Sequence, residues 1–256
     1  MKIKVLGCSG GQLPGYKLSS FLVNDSLLID AGSTTAVLSL KGQQKIRDIL
    51  ITHIHLDHAM ALATIADNLY SKRVTPINVW GISEVIAGLK KSFFNDRIWP
   101  DFTRIKGDTQ PAPVLRLRTL MENRPAVVGD CRVTTVRVNH SVPSTAFFIE
   151  NKKKTLLHIG DTGPTKKVWA AARKNKNLCA IVIETSFPDR LQEIADVSCH
   201  LTPQALAREI DKLGRPSVPI LITHLKPEYR NEIIASLKRI KGYHLRILKD
   251  GDLLQF

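Results

Sequence analysis

The chain reads as an α/β protein of the four-layer kind, an αββα sandwich with two β-sheets face to face and helices outside. Three observations predict it. Segments come in the order β-rich with helices, then β-rich, then alternating, which suits two sheets each covered on one face. No repeat, low-complexity tract or linker divides the 256 residues, so residues 1–256 are read as one domain. A short apolar run, Ile49-Leu50-Ile51, empties into a cluster of metal-binding side chains, as strands do when they deliver ligands to one end of a sheet.

Residues 2–6 alternate as a strand and run into Gly7-Cys8-Ser9-Gly10-Gly11. That turn is not a P-loop, because no Gly-Lys-Ser/Thr comes after it. Residues 19–23 and 26–30 form a hairpin through Asn24-Asp25, and Asp30 is placed to cap or brace the next helix. Helices are expected at 33–40 and 59–70, on either side of the strand at 49–51. Residues 76–80 are a short strand. Ser83 is read as the N-cap of a helix reaching Phe94, with Glu84 in its first turn. Residues 95–113 are irregular, with Trp99-Pro100-Asp101 in their middle. Stretches of that length inside a compact domain usually serve as functional loops or lids. Strands come next at 114–117, 126–128, 132–138, 145–150 and 155–159. Helix and strand then alternate: helix 165–173, strand 179–183, helix 202–213, strand 218–222, helix 228–240, strand 245–248. Thr202-Pro203 is a cap-and-first-turn pair for the helix at 202–213.

Composition bounds the function. Hydrophobic residues make up 43%, enough for a real core. The longest apolar runs are strand-sized, which argues against a membrane span. Strand-like sequence from Lys2 leaves no room for a signal peptide, and four cysteines without CxxC spacing read as reduced thiols. A cytoplasmic protein is therefore expected. The net charge of +14 favours anionic partners such as nucleotides or nucleic acid.

The chemistry starts at His53, His55, Asp57 and His58. Three of the chain's eight histidines fall within six positions there, beside a carboxylate. Neutral imidazoles and carboxylates are the ligand set that zinc and similar ions prefer. His53 and His55, two apart in an extended segment, point the same way. Three further candidates sit just past apolar strands, as His53 does: His140, Asp161 and His224. His158, inside its strand, reads as packed, and His244 as a surface residue. His200, ahead of Thr202-Pro203, is placed to reach a phosphate or protonate a leaving oxygen.

These residues resemble the metallo-β-lactamase superfamily, whose signature is His53-x-His55-x-Asp57-His58 followed by His140, Asp161 and His224. Within it the likeness is to class-II cyclic nucleotide phosphodiesterases. Four stretches carry it: Thr52-His53-Ile54-His55-Leu56-Asp57-His58; Phe93-Phe94-Asn95-Asp96-Arg97-Ile98-Trp99-Pro100-Asp101-Phe102; Gly160-Asp161-Thr162-Gly163-Pro164; and Ser198-Cys199-His200-Leu201-Thr202-Pro203. The resemblance implies a metallo-β-lactamase-like sandwich holding two divalent metal ions. His53, His55 and His140 would hold one; Asp57, His58 and His224 the other; Asp161 would bridge. Zinc is expected, and manganese or iron is compatible with the same N/O ligands. A hydroxide bridging the ions would attack phosphorus, with Asp57 and His200 as the catalytic side chains. Asn95, Trp99, Asp101 and Thr162 are the candidate substrate contacts, Trp99 or Phe94 offering a face to a base. The implied reaction converts 3′,5′-cyclic AMP or GMP to a 5′-monophosphate.

Other readings share the metal signature. A ribonuclease Z-like endonuclease would suit the positive charge and take RNA, but no Gly/Pro-rich arm for tRNA stands out. A thioesterase or lactonase of the same fold and a non-enzymatic metal module are the remaining alternatives, and a homodimer is an admissible assembly.

Overall fold

The computed structural model of the chain describes residues 1–72, 75–106 and 111–256. Residues 107–110, within the irregular stretch expected at 95–113, lie outside the described residues.

Among the described residues the strands form two seven-stranded sheets. In chain order, β1 (Lys2–Gly7), β2 (Ser20–Val23), β3 (Leu27–Ile29), β4 (Asp48–Leu50), β5 (Ile77–Gly81) and β6 (Leu115–Thr119) build the first. β7 (Ala126–Val128), β8 (Cys131–Val138), β9 (Ser144–Asn151), β10 (Lys154–His158), β11 (Leu178–Glu184), β12 (Ile220–Thr223) and β13 (Leu245–Ile247) build the second. β14 (Leu253–Gln255) returns to pair with β1. The orders are β14-β1-β2-β3-β4-β5-β6 and β13-β12-β11-β10-β9-β8-β7. Each sheet is antiparallel in one half and parallel in the other. Parallel neighbours need crossovers, and the helices supply them.

Strand alternation sets the layers. Val5, Phe21, Ile29 and Leu50 meet Val133, Phe147, Ile149 and Val182 between the sheets. The alternate residues, such as Leu28, Ile49 and Val79, pack outward. They lie under the helices α1 (Thr34–Val37), α2 (Leu40–Gln43), α3 (Leu56–Ala59), α4 (Ala61–Leu69) and α5 (Ser83–Gly88). On the other side α6 (Lys167–Lys174), α7 (Gln192–Ser198), α8 (Pro203–Asp211) and α9 (Arg230–Leu237) accompany the second sheet. This is the αββα sandwich that the sequence predicts.

Local differences have physical reasons. The helix expected at 33–40 is two single turns, broken at Leu38 (φ −88°, ψ 130°), after which Ser39 caps α2 through Gly42 N–H. Ser83 does not cap: Ile82 stands at that position, and the Ser83 hydroxyl donates to Glu84 (2.8 Å). The helix does continue toward Phe94, but through a wider π-type turn, Leu89–Phe93. Thr202 caps α8 as expected, accepting from Ala205 N–H (3.2 Å). The sequence pattern misses α7, whose Ile194 and Val197 are exposed, so no apolar stripe marks it. It also misses β14, too short to alternate. No helix among the described residues is long and apolar enough to cross a membrane.

Candidate metal centre

The site grows from the ends of β3, β4, β8, β10, β11 and β12. Parallel pairing of β3 with β4 sets Asp30 beside Thr52. Asp30 is fully buried and accepts from Thr52 N–H (2.8 Å) and its hydroxyl (2.9 Å). Its Oδ2 also lies 2.8 Å from His58 Nδ1. The Thr52 hydroxyl in turn lies 3.0 Å from His53 Nδ1. One carboxylate thus orients two histidines, one directly and one through a hydroxyl. A left-handed backbone recurs around the site, at Asp30 (φ 55°), Cys199 (φ 54°) and His224 (φ 62°). Strain of this kind concentrates where side-chain placement matters more than backbone comfort.

The seven residues predicted from sequence as ligands come together in two groups. His53 Nε2 is 3.1 Å from His55 Nδ1, which is 3.3 Å from His140 Nε2. In the second group His224 Nε2 is 3.1 Å from Asp57 Oδ2 and 3.3 Å from His58 Nε2. Asp161 Oδ2 faces both, 3.3 Å from His58 and His224 Nε2 and 3.9 Å from His53 Nε2. Donor atoms around a tetrahedral ion with bonds of about 2.0–2.1 Å stand about 3.3–3.4 Å apart. These spacings match that edge, so the residues present fit divalent cations.

Electrostatics agree with the geometry. Burial pushes the His53, His55 and His140 imidazoles below their ordinary range, leaving lone pairs free for a metal. Burial also opposes charge on His58, yet Asp161 and Asp30 outweigh it and raise that imidazole well above 6.5. The carboxylates call for positive charge at this spot. Burial alone would raise the Asp57 and Asp161 carboxyls. For Asp57 the His224 hydrogen bond, and for both the neighbouring histidine charges, hold them low instead.

His200 stacks on His224 (5.5 Å between centroids, 18° between planes) and sits 5.1 Å from the His140 ring. Its Nδ1 lies 2.6 Å from Glu184 Oε1. Burial lowers the pKa of His200, but the Glu184 charge and hydrogen bond override it and push it up to about 9. The Cys199 carbonyl accepts from His140 Nδ1 (3.1 Å), so the left-handed residue that ends α7 aims one histidine and leads into the other.

The remaining predicted residues are not members of the two ligand groups. Asn95 Oδ1 accepts from Arg97 and Ile98 N–H (3.1 and 2.8 Å), and Asp101 pairs with Thr103 and Arg104, so both shape their own loop. Trp99 is half-buried against the outer core of the first sheet, where Phe94 is buried too. Thr162 is buried beside Asp161 and donates its N–H to Glu184 (3.0 Å). His158 is fully buried against Phe21, and His244 is exposed. Sequence reading missed Glu184 and Ser186. Glu184 ends an apolar strand as His140 and His224 follow theirs, so the same position rule points to it.

Known proteins give this arrangement a context. A 3′,5′-cyclic-nucleotide phosphodiesterase of Aliivibrio fischeri is 24% identical over 98% of the chain and 90% of its own length. A protein of Alkaliphilus oremlandii named ribonuclease Z is 25% identical over 70% of the chain and 62% of its length. The crystal structure of unliganded yeast PDE1 superposes with a TM-score of 0.80 at 20% identity, covering 97% of this chain and 98% of that one. The architecture is the metallo-β-lactamase fold. Residues 30–240 match the family of cAMP phosphodiesterases class-II. The chain belongs to that family of metal-dependent hydrolases.

Proposed function

We propose that the chain hydrolyses 3′,5′-cyclic nucleotides to 5′-nucleoside monophosphates at a two-metal centre. His53, His55 and His140 hold one ion; Asp57, His58 and His224 hold the other; Asp161 is shared. The observation that carries this is Asp161 Oδ2, within reach of donors from both groups. Zinc suits the set best, with manganese or iron compatible. When bound, two divalent ions supply an ionised water at neutral pH and offset the phosphoryl charge.

The protein's own residues do the rest. Asp57 turns Oδ2 to His224 and His58, leaving its other oxygen to hold the attacking water in place. Glu184 accepts a hydrogen bond from His200 Nδ1–H, so Nε2–H is the free donor. The Glu184 charge and hydrogen bond favour the protonated ring, placed to give its Nε2 proton to the departing 3′-oxygen. Trp99 offers the base an aromatic face, on a loop shaped by Asn95 and Asp101. α5 leads to that loop and packs on Ile54, between His53 and His55: a Cβ on Gly88 would lie 3.0 Å from Ile54 Cδ1. Thr162 steadies Asp161 through Glu184. The +14 charge favours an anionic substrate.

The ribonuclease Z-named relatives support a second reading, an RNA endonuclease. One experiment separates the two. Protein loaded with zinc or manganese is assayed side by side on cyclic AMP, cyclic GMP and precursor tRNA. Cyclic nucleotide turnover, abolished in Asp57→Ala, is expected. Cleavage of precursor tRNA with no turnover of either cyclic nucleotide overturns the proposal.

A further inference from the structure

We infer that Ser186 is a positioning residue that ties the metal-facing His224 to the proton donor His200 through Glu184. The inference rests on the two-metal reading above. Ser186 is fully buried, two residues past the end of β11 at Glu184. Its hydroxyl lies 2.6 Å from Glu184 Oε2, 3.0 Å from His224 Nδ1 and 3.3 Å from His200 Nδ1.

Hydrogen directions come from what each group can do. His224 turns Nε2 toward Asp57, Asp161 and His58, so Nδ1 carries its proton and must donate. The acceptor in reach is the Ser186 oxygen. The Ser186 hydroxyl has two acceptors, the Glu184 carboxylate at 2.6 Å and the His224 carbonyl at 3.2 Å. The charged, shorter one wins. Glu184 then receives four donors: Ser186 Oγ, His200 Nδ1 (2.6 Å), Thr162 N–H (3.0 Å) and Leu201 N–H (3.3 Å). The carboxylate is saturated and 0% exposed, so it cannot turn without breaking several bonds.

The chain His224–Ser186–Glu184–His200 therefore converges on the Glu184 carboxylate from both ends and fixes both imidazole planes. The two rings lie only 18° from parallel. The arrangement repeats the one on the first sheet, where Asp30 holds His58 directly and reaches His53 through Thr52. Ion occupancy at His224 and the aim of His200 are then parts of one network, although the two residues come from different loops.

Ser186→Ala deletes one small atom and leaves the packing intact, while Ser186→Thr keeps the hydroxyl. The first readout needs no substrate: competition for Zn²⁺ between the protein and a chromogenic chelator. Ser186→Ala should hold one of its two equivalents about 10–100-fold more weakly, and Ser186→Thr should recover most of that. The second readout compares cyclic AMP with bis(p-nitrophenyl) phosphate at saturating metal. The first substrate's leaving group needs a proton and the second's does not, so Ser186→Ala should lose more kcat on cyclic AMP, with KM little changed. Unaltered affinity for both equivalents overturns the link to His224. Equal loss of kcat on both substrates overturns the link to His200. A chain that turns over neither substrate defeats the assigned function, yet the chelator readout still decides the Ser186–His224 link.

Discussion

At the scale of single residues, the candidate centre separates side chains that face the metal positions from those that aim them. His200 belongs to neither group: it is held by Glu184, with its free nitrogen toward the site. His200→Ala is therefore expected to lower kcat on cyclic AMP by about 10²–10⁴-fold, the usual worth of a general acid. Bound metal and turnover of an activated aryl phosphodiester should change little. Metal analysis beside the two rate assays checks this, and equal losses on both substrates would assign His200 to binding instead. The histidines and aspartates of the centre are legible in sequence because three of eight histidines crowd into six positions and the rest come just after apolar strands. Asp30 and Ser186 are not, and Glu184 is marked only by its place at the end of an apolar strand. Each acts through another side chain, and a buried carboxylate at a strand end looks in sequence like any turn or cap. The loop residues Asn95 and Asp101 show the converse. Their residue types suit a ligand, but Asn and Asp side chains also close turns on nearby backbone N–H groups, and here they do.

At the scale of elements, the Gly-rich turn after β1 is part of the site's framework. Its backbone pairs across to the second sheet: His224 N–H donates to Cys8 O (2.8 Å) and Gly10 N–H to Leu225 O (3.1 Å). The approach leaves no room for a side chain. A Cβ on Gly10 would lie 2.4 Å from His224 O and 2.8 Å from its Nδ1. On the other side, a Cβ on Gly32 would lie 2.3 Å from Asp57 O. Two glycines thus press against two residues of the same ion group. Gly10→Ala should fold, since its clash is local, but push His224 out of line. A displacement near 1 Å is expected to cost about 10²-fold in kcat, with an unchanged far-UV circular dichroism spectrum. Parent-level activity would show that the loop yields freely. The pattern of strands and major helices is readable because apolar alternation and periodicity track burial on one face. α7 is not, because it turns Ile194 and Val197 to solvent. Its work is to end in the left-handed Cys199 and set His140 and His200, a job that leaves no trace in hydrophobic pattern.

At the scale of the whole molecule, the centre lies where the two sheets meet. His53 and His55 come from the loop after β4 in the first sheet, and Asp57 and His58 from α3, which that loop leads into; His140, Asp161 and His224 come from the ends of β8, β10 and β12 in the second. Ions held by both groups join the two sheets, and a ligand that binds only the folded state stabilises it by mass action. At a free concentration one hundred times its dissociation constant, each ion adds about 2.7 kcal/mol. For a chain of this size that raises Tm by roughly 5–11 °C per ion. Removing the ions also leaves Asp57, Asp161 and Asp30 close together with only histidines to balance them, which adds to the loss. Chelation should therefore lower Tm, and zinc or manganese should restore it in a concentration-dependent way. The proposal that residues 1–256 act as one domain makes the expectation sharper: one transition moves as a whole, rather than one of two moving alone. Calorimetry on chelated and reloaded protein measures both. If the transition splits, and only one part responds to metal, the sheets unfold separately and the single-domain proposal fails. If Tm ignores chelator and added metal alike, the seven residues do not hold ions across the sandwich.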